Sequence, residues 1–240
     1  MNDFLIMIDV SLSKSFLNPK SVAIIGASAD PKKTSSRAQR FLVSHGYKGK
    51  IFPVNPNREE IFGLKCYPNL KSINEHIDHI FIAVDSNKII EAIKDAISKK
   101  VRCATILSGG FTESGSEGND LEKQVFKIAK KGDLRILGPN SIGLINISDN
   151  VILSANAMLE LQDLKKGSLG VISHSGSLIG ALLAHGHSRG IGFSKLVSVG
   201  NESDLSVGEI GKMLVNDPNT ESIILFLETL RNSDEVAEMS

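Results

Sequence analysis

The chain has few of the residues that staple a fold or anchor it in a membrane. Only two cysteines occur among its 240 residues, Cys66 and Cys103, and they lack Cys-x-x-Cys spacing. That disfavours a disulfide framework or a zinc knuckle and favours a reducing, cytoplasmic home. An excess of one charge is also missing: 27 Lys and Arg balance 27 Asp and Glu. No basic field therefore advertises nucleic acid or an anionic membrane. No apolar run is long enough to span a bilayer. The opening stretch MNDFLIMIDV carries Asp3 and Asp9 and no basic segment, so it is not read as a signal peptide. What is present is core material. Hydrophobic residues make up 41% of the chain and charged residues 22%, which describes a soluble globular protein of one or two domains.

Short apolar runs alternate with amphipathic ones. SVAIIG, KIFPVNP, HIFIAV, CATILSGG and LRIL read as strands. Between them, Ala38, Phe41, Leu42 and His45 share one helical face, as do Ile89, Ile90, Ile93, Ala96 and Ile97. DLEKQVFKIAKKG reads as a third helix with Gly132 as its stop. This is the pattern of parallel βαβ units, with strands apolar enough to be covered on both faces. The fold class is α/β. Residues 1–150 are expected to form a Rossmann-like domain. The stretch NVILSANAMLELQDLKKG breaks the rhythm and reads as a connection. Residues 151–240 then restart it with strand LGVIS, a helix from Gly176, strand SKLVSVG, a helix from about Leu205 and strand SIILFLETL. Another helix is expected to begin at NSDEVAEMS. Three strands do not complete a doubly wound sheet, so the second domain is expected to be part of something longer.

Ligands of open parallel sheets bind beyond the carboxyl ends of the strands. Here those ends are Gly26-Ala27-Ser28, Val54-Asn55-Pro56, Ala83-Val84-Asp85, Ser108-Gly109-Gly110 and Gly138-Pro139-Asn140. Small residues let a ligand approach the backbone, and the helix N-termini that follow suit phosphate. Each turn singly is also what any tight βα connection needs. All five together favour a nucleotide-like ligand. The Gly-x-Gly-x-x-Gly of dinucleotide folds is absent, and the second strand ends in PVNPNRE instead of on an acidic residue. Arg58 there suits a phosphorylated ribose, which coenzyme A and NADP both carry.

NPKSVAIIGAS, GYKGKIFPVNPN, SGGFTESGSEG, LGPNSIGLIN, ISHSGSLIGALL and GIGFSKLVSVGNESDL follow one another in order. With these motifs the chain resembles the N-terminal part of the nucleoside-diphosphate-forming acyl-CoA synthetases, relatives of the succinyl-CoA synthetase α subunit. The resemblance spans nearly the whole chain. It implies a CoA-binding Rossmann-like domain followed by an incomplete flavodoxin-like domain. The implied reaction is acyl-CoA, ADP and phosphate in exchange for acid, CoA and ATP, through an acyl phosphate and a phosphohistidine. The implied CoA residues are Gly26, Ala27, Ser28, Asp30, Asn55, Arg58, Ser108, Gly109, Gly110 and Asn140. Ser141 stands where the family commonly has a cysteine or another small residue. Ser173, His174, Ser175, Gly176 and Asn201 are the implied phosphate site, and Glu228 is the carboxylate that orients the catalytic histidine. No metal ligands are expected. ADP or ATP with magnesium would enter only through a nucleotide-grasp subunit or C-terminal domains, and an oligomer is implied.

SHSG around His174 is similar to the loop that carries the phosphorylated histidine in that family. His174, however, precedes the VSVGNESDL stretch, whereas the family nucleophile lies beyond the strand ending at Glu228. His174 is therefore expected to line the phosphate loop and not to carry the phosphoryl group. Positioned donors for phosphate oxygens are expected from two helix N-termini, one after Ser175-Gly176 and one after Gly200-Asn201-Glu202. Bulk at Gly176 is expected to obstruct the anion. His185 and His187 read as ordinary helix residues. Two alternatives remain open: a non-catalytic acyl-CoA-sensing module of a protein acetyltransferase, and a nicotinamide-binding redox sensor.

Overall fold

The computed structural model describes residues 9–161 and 163–239. Most of the MNDFLIMIDV stretch, residues 1–8, lies outside the described residues, as does Ser240. Helix α1 (Val10–Leu17) opens the described chain, capped by Asp9, whose carboxylate accepts from Leu12 N at 2.9 Å.

The first sheet takes β1 (Ser21–Ile25), β2 (Lys50–Val54), β5 (His79–Ile82), β6 (Cys103–Ile106) and β7 (Arg135–Leu137), in spatial order β2-β1-β5-β6-β7 and all parallel. A two-stranded ribbon, β3 (Glu60–Ile61) with β4 (Leu64–Lys65), stands between β2 and β5 in the chain. The crossovers are α2 (Thr34–Ser44), α3 (Ile89–Ser98) and α4 (Ser116–Lys131). Helices α3 and α4 cover one face through Ile89, Ile93, Val125 and Ala129. Helix α2 covers the other through Ala38 and Leu42.

The second sheet is built from β8 (Gly143–Asn146), β9 (Val151–Ser154), β10 (Lys166–Ser173), β11 (Phe193–Ser198) and β12 (Ser222–Phe226), in order β12-β10-β11-β8-β9. Its helices are α5 (Gly176–Arg189), α6 (Val207–Val215) and the short α7 (Ser233–Ala237), which begins where NSDEVAEMS promised a helix. Three strands are parallel, as the alternation required, but β8 and β9 are antiparallel additions. The stretch read as a bare connection thus contains a strand. Val151, Ile152 and Leu153 are buried, and pairing with β8 satisfies their backbone. Strand β12 lies at the sheet edge with Ile224 and Phe226 exposed, so it is not covered on both faces.

Helix α2 joins the two units. Ala38 and Leu42 belong to the first core, while Phe41, next to Leu42 in sequence but about 100° round the helix, packs with Ile145, Val171, Leu183 and Phe193 of the second. The units are also pinned by polar contacts. Arg135 on β7 holds Asp204 at 3.0 Å and Glu209 at 2.8 Å. Residues 201–205 run beside the end of β7: Leu205 N donates to Ile136 O at 3.1 Å and Asn201 N to Pro139 O at 2.9 Å.

One buried group sets an acid limit. His79 on β5 is fully buried, with Nε2 2.8 Å from Thr105 Oγ1 and its ring stacked on Phe16. Burial pushes its pKa down to about 4, and the Ser15 and Phe16 carbonyls and the Asp78 charge offset this only in part. Below its ordinary value of 6.5 the unfolded chain takes up a proton that the folded chain refuses. Stability is therefore expected to fall as pH drops from 6.5 toward 4, by about 3 kcal/mol at most. Urea unfolding of wild type and His79→Gln across that range checks it: a parallel decline in both would assign the acid loss to other groups.

Candidate functional site

Three clefts follow one another along the carboxyl ends of the two sheets. The first, about 450 Å³, is lined by Ile25, Gly26, Val54, Asn55, Leu70 and Val84, with Lys88, Glu91 and Asp95 among its polar residues. The second, about 550 Å³, shares Val84 and adds Lys33, Thr34, Ser35, Ser86, Ser108 and Gly109. The third, about 290 Å³, is lined by Thr112, Glu113, His174, Gly200, Asn201, Glu228, Thr229 and Arg231. Gly109 links the second to the third, because a Cβ there would lie 2.9 Å from Glu113 Oε1.

The turns that shape the first two clefts depend on their small residues. Gly26 has φ +84°, and a Cβ on it would meet Ala83 O at 2.5 Å, so only glycine fits. Gly26 N and Ala27 N both donate to Val54 O, and Asn55 Nδ2 donates to Ala27 O at 2.8 Å. Asn55 Oδ1 accepts from Asn57 N at 2.9 Å. Asn55 therefore fastens the first turn to the second with both ends of its amide. Ser28 and Asp30 shape the loop that leads to α2. Ser28 Oγ accepts from Asp30 N at 3.1 Å, and Asp30 Oδ1 accepts from Lys32 N at 2.9 Å. The N-cap of α2 is Lys33, which makes no side-chain cap. Lys33, Thr34 and Ser35 thus present a helix N-terminus and a cation at the second cleft. Sequence reading passed over all three, although the face of Ala38, Phe41 and Leu42 marked the helix they begin. Arg58 is exposed in the loop after β2, outside the lining of these clefts. Ser108 Oγ donates to Val84 O, binding the third and fourth turns together.

The third cleft brings the two units face to face. Asn140, at φ +55°, donates from Nδ2 to Asn201 Oδ1 at 3.5 Å, and Asn201 Nδ2 donates to Glu113 Oε2 at 2.7 Å. His174 is held at both ring nitrogens. Glu228 N is 3.0 Å from Nδ1, and Glu202 Oε2 is 2.9 Å from Nε2. A backbone N–H can only donate, so Nδ1 accepts and Nε2 carries the proton that goes to Glu202. No ring lone pair is left for a phosphoryl group. Glu202, with its side chain 5% exposed, also accepts from Val207 N at 2.7 Å. Arg231 Nε lies 3.9 Å from the same carboxylate.

The phosphate-loop residues divide. Ser173 is buried, and its hydroxyl both donates to Ser175 O and accepts from Ser175 N. Ser175 caps α5, accepting from Leu178 N at 3.3 Å. A Cβ on Gly176 would meet Ile142 Cγ2 at 2.8 Å, so packing against Ile142 is itself a reason for glycine there. The expectation of two helix N-termini on one anion is also corrected. A loop separates Gly200-Asn201-Glu202 from α6, and protein groups occupy the α6 N-terminus: Glu202 takes Val207 N, and Ser206 with Glu209 forms a capping box. His174, Asn201 and Glu228 do meet in one cleft. Sequence reading missed Glu113, Glu202 and Arg231 beside them; GNESDL carried Glu202, and its pairing with His174 needed the fold. Among the described residues no His, Cys, Asp and Glu cluster could hold a metal, and no helix is long and apolar enough to cross a membrane.

Residues 20–147, more than half of the chain, match the CoA binding domain family. The chain belongs to that family. Residues 166–240 match the succinyl-CoA ligase like flavodoxin domain. An ADP-forming acetate–CoA ligase II of Archaeoglobus fulgidus is 37% identical over 216 residues, 89% of this chain and 32% of that protein. The α subunit of the corresponding ligase II of Pyrococcus furiosus is 34% identical over 94% of this chain and 48% of its own length. The dinucleotide-forming acetyl-coenzyme A synthetase 1 of Ca. Korarchaeum cryptofilum, solved with phosphate and ADP, superposes with a TM-score of 0.86 at 34% identity, covering 92% of this chain and 46% of that one. The chain thus spans from about a third to just under half of the length of these relatives. The CoA-binding domain family and its ligase relatives agree with the resemblance read from the six motifs. They lend no support to the acetyltransferase-module or redox-sensor alternatives.

Proposed function

We propose that this chain is the CoA-binding portion of a nucleoside-diphosphate-forming acid–CoA ligase, which interconverts acyl-CoA, ADP and phosphate with acid, CoA and ATP. The observation that carries the reading is the succession of clefts from the turns of the first sheet to Asn201, His174 and Glu228. The residues fit coenzyme A. The apolar first cleft, bounded by Val54, Leu70 and Val84, suits a base and its ribose. Lys33 and the uncapped start of α2 suit a diphosphate. When bound, CoA supplies the thiol that carries the acyl group. The protein's share is to hold the diphosphate, aim the chain along Ser108 and Gly109, and present an oxyanion to the third cleft. There Asn201 offers an N–H donor and Arg231 a cation at the rim. His174 is a fixed wall group and not the carrier, and Glu228 at the mouth keeps the role of orienting a carrier histidine. Nucleotide and magnesium are assigned to a nucleotide-grasp subunit or C-terminal domains, as the resemblance implies. The two-domain division at residue 150 is proposed in the same sense, except that β8 (Gly143–Asn146) lies before that boundary and pairs into the second sheet.

Calorimetry with CoA, acetyl-CoA and NADPH tests the reading. CoA is expected to bind, and equal or tighter binding of NADPH would overturn it. Lys33→Ala is expected to weaken CoA binding by about 1.5–3 kcal/mol, the loss of one charge-assisted bond, and Arg58→Ala, outside the cleft lining, by less. A variant that folds normally and keeps full affinity removes that side chain from the site.

Incubation with labelled ATP and magnesium, followed by an alkaline gel, is expected to leave His174 unlabelled. Label mapped to His174 would show that its two hydrogen bonds open under turnover and that it is the carrier after all.

A further inference from the structure

Glu113 is an exposed glutamate on the turn between β6 and α4, yet its carboxylate is fully engaged. Oε1 accepts from Gly110 N at 2.7 Å and from Phe111 N at 3.2 Å, and Oε2 accepts from Asn201 Nδ2 at 2.7 Å. Two consecutive backbone N–H groups and an amide N–H, converging from both units, are the donors that a tetrahedral oxyanion takes. Asn201 and Glu113 line the wall of the third cleft beside Arg231, and the Glu113 carboxylate connects that wall to the N–H groups of Gly110 and Phe111 just behind it. A neighbouring glutamate shows the contrast. Glu122 also ties the two units, through Thr112 and Ser203, but it does not line the cleft.

We infer that the Glu113 carboxylate is a built-in stand-in for the substrate oxyanion, which must be displaced from Gly110 N, Phe111 N and Asn201 Nδ2 before inorganic phosphate can bind there. The inference rests on the reading of the third cleft as a phosphate site. Its physical logic is competition. A carboxylate offers two oxygens to three donors, and its charge repels an arriving dianion. Burial pushes the Glu113 carboxyl up, but hydrogen bonds from Asn201 and from the backbone N–H groups of Glu113, Phe111 and Gly110 outweigh this and hold it below the usual carboxylate range. Glu113 is therefore charged at neutral pH. Release needs little motion. Phe111 is a buried anchor, whereas Thr112, Glu113 and Ser114 are exposed between Gly110 at φ +93° and Gly115 at φ +96°. Rotation of one exposed side chain frees all three donors. A ligase using this device would bind phosphate weakly until the arrival of its other substrate shifts the loop.

Titration with inorganic phosphate, read by calorimetry on wild type, Glu113→Ala and Glu113→Gln, tests this. Phosphate is expected to bind Glu113→Ala about tenfold more tightly than wild type, the effect of releasing one charge-assisted set of bonds. Glu113→Gln, which keeps an acceptor oxygen but loses the charge, is expected to fall between them. Circular dichroism confirms that each variant is folded. Binding to wild type that is unchanged or weakened in both variants overturns the stand-in and leaves the phosphate site standing, with Glu113 as a supporting residue. Absence of binding to all three proteins overturns the phosphate site and the inference together.

Discussion

Asp217→Ala is expected to cost about 3–5 kcal/mol of folding stability, because it strands a buried lysine charge. Lys195 lies on the central strand β11 and is 1% exposed. Its Nζ is 2.5 Å from Asp217 Oδ2, and the Asp217 side chain is itself only 10% exposed. Thr220 Oγ1 donates to the same oxygen at 2.6 Å and lies 2.8 Å from Ser194 Oγ, so the pair sits in a small polar network. Burial pushes the Asp217 carboxyl up, but Lys195, Thr220 and Asn219 outweigh it, and the net shift is downward. A depressed folded-state pKa means that this stability is present above the ordinary carboxylate range. It is lost as pH falls through the folded value. Exchanging both partners together, Lys195→Met with Asp217→Leu, is expected to recover most of the loss, since no buried charge is then left alone. Urea unfolding of the single and double variants is the measurement. A single variant within about 0.5 kcal/mol of wild type, the range of an ordinary surface change, would show that Lys195 reaches water on its own.

The order of layers was legible because its cause is local. Val22, Ile24, Ile80, Ile82, Ala104 and Ile106 are apolar in unbroken runs, and parallel strands between helices need that. Helix α3 was legible from its 3.6-residue spacing alone. The strands that escaped, β8 and β9, are no less apolar. Leu144, Ile145, Val151, Ile152 and Leu153 are all buried. They escaped because their pairing is antiparallel and attaches to β11, almost fifty residues later in the chain. Helix α2 hides a similar fact: nothing in its pattern says that Phe41 faces a different core from Leu42. At the site, small residues at strand ends marked the right turns, but they did not say which side chains face a ligand. Asn55, Ser28 and Ser173 each tie a loop with a side-chain hydrogen bond, a use that looks identical in sequence to binding. Glu113 and Glu202 were invisible as functional groups because their importance comes from partners about 90 and 30 positions away, Asn201 and His174.

Glu202→Ala is expected to unlock the third cleft and to destabilise the fold by about 2–6 kcal/mol. Its two oxygens serve two buried donors, His174 Nε2–H and Val207 N–H, and a stranded buried donor costs about 1–3 kcal/mol. The loss at Val207 also uncaps the start of α6, whose remaining cap is the Ser206–Glu209 box. Without Glu202, His174 keeps only the Glu228 N–H bond to Nδ1, so the ring is free to turn and Glu228 loses its fixed neighbour. Phosphate affinity is expected to fall along with stability, because the cleft wall is no longer defined. Glu202→Gln separates charge from geometry. Its amide has one acceptor oxygen for two donors, and its NH₂ would face either the His174 Nε2–H or the Val207 N–H. Moving the imidazole proton to Nδ1 does not help, since that nitrogen faces the Glu228 N–H. Glutamine is therefore expected to recover about half of the alanine loss. The ring provides a second readout: ¹⁵N shifts of His174 should report Nε2–H in wild type and a mixture of tautomers in Glu202→Ala. Alanine and glutamine variants that match wild type in both stability and imidazole shifts would mean that His174 is held by the Glu228 backbone alone.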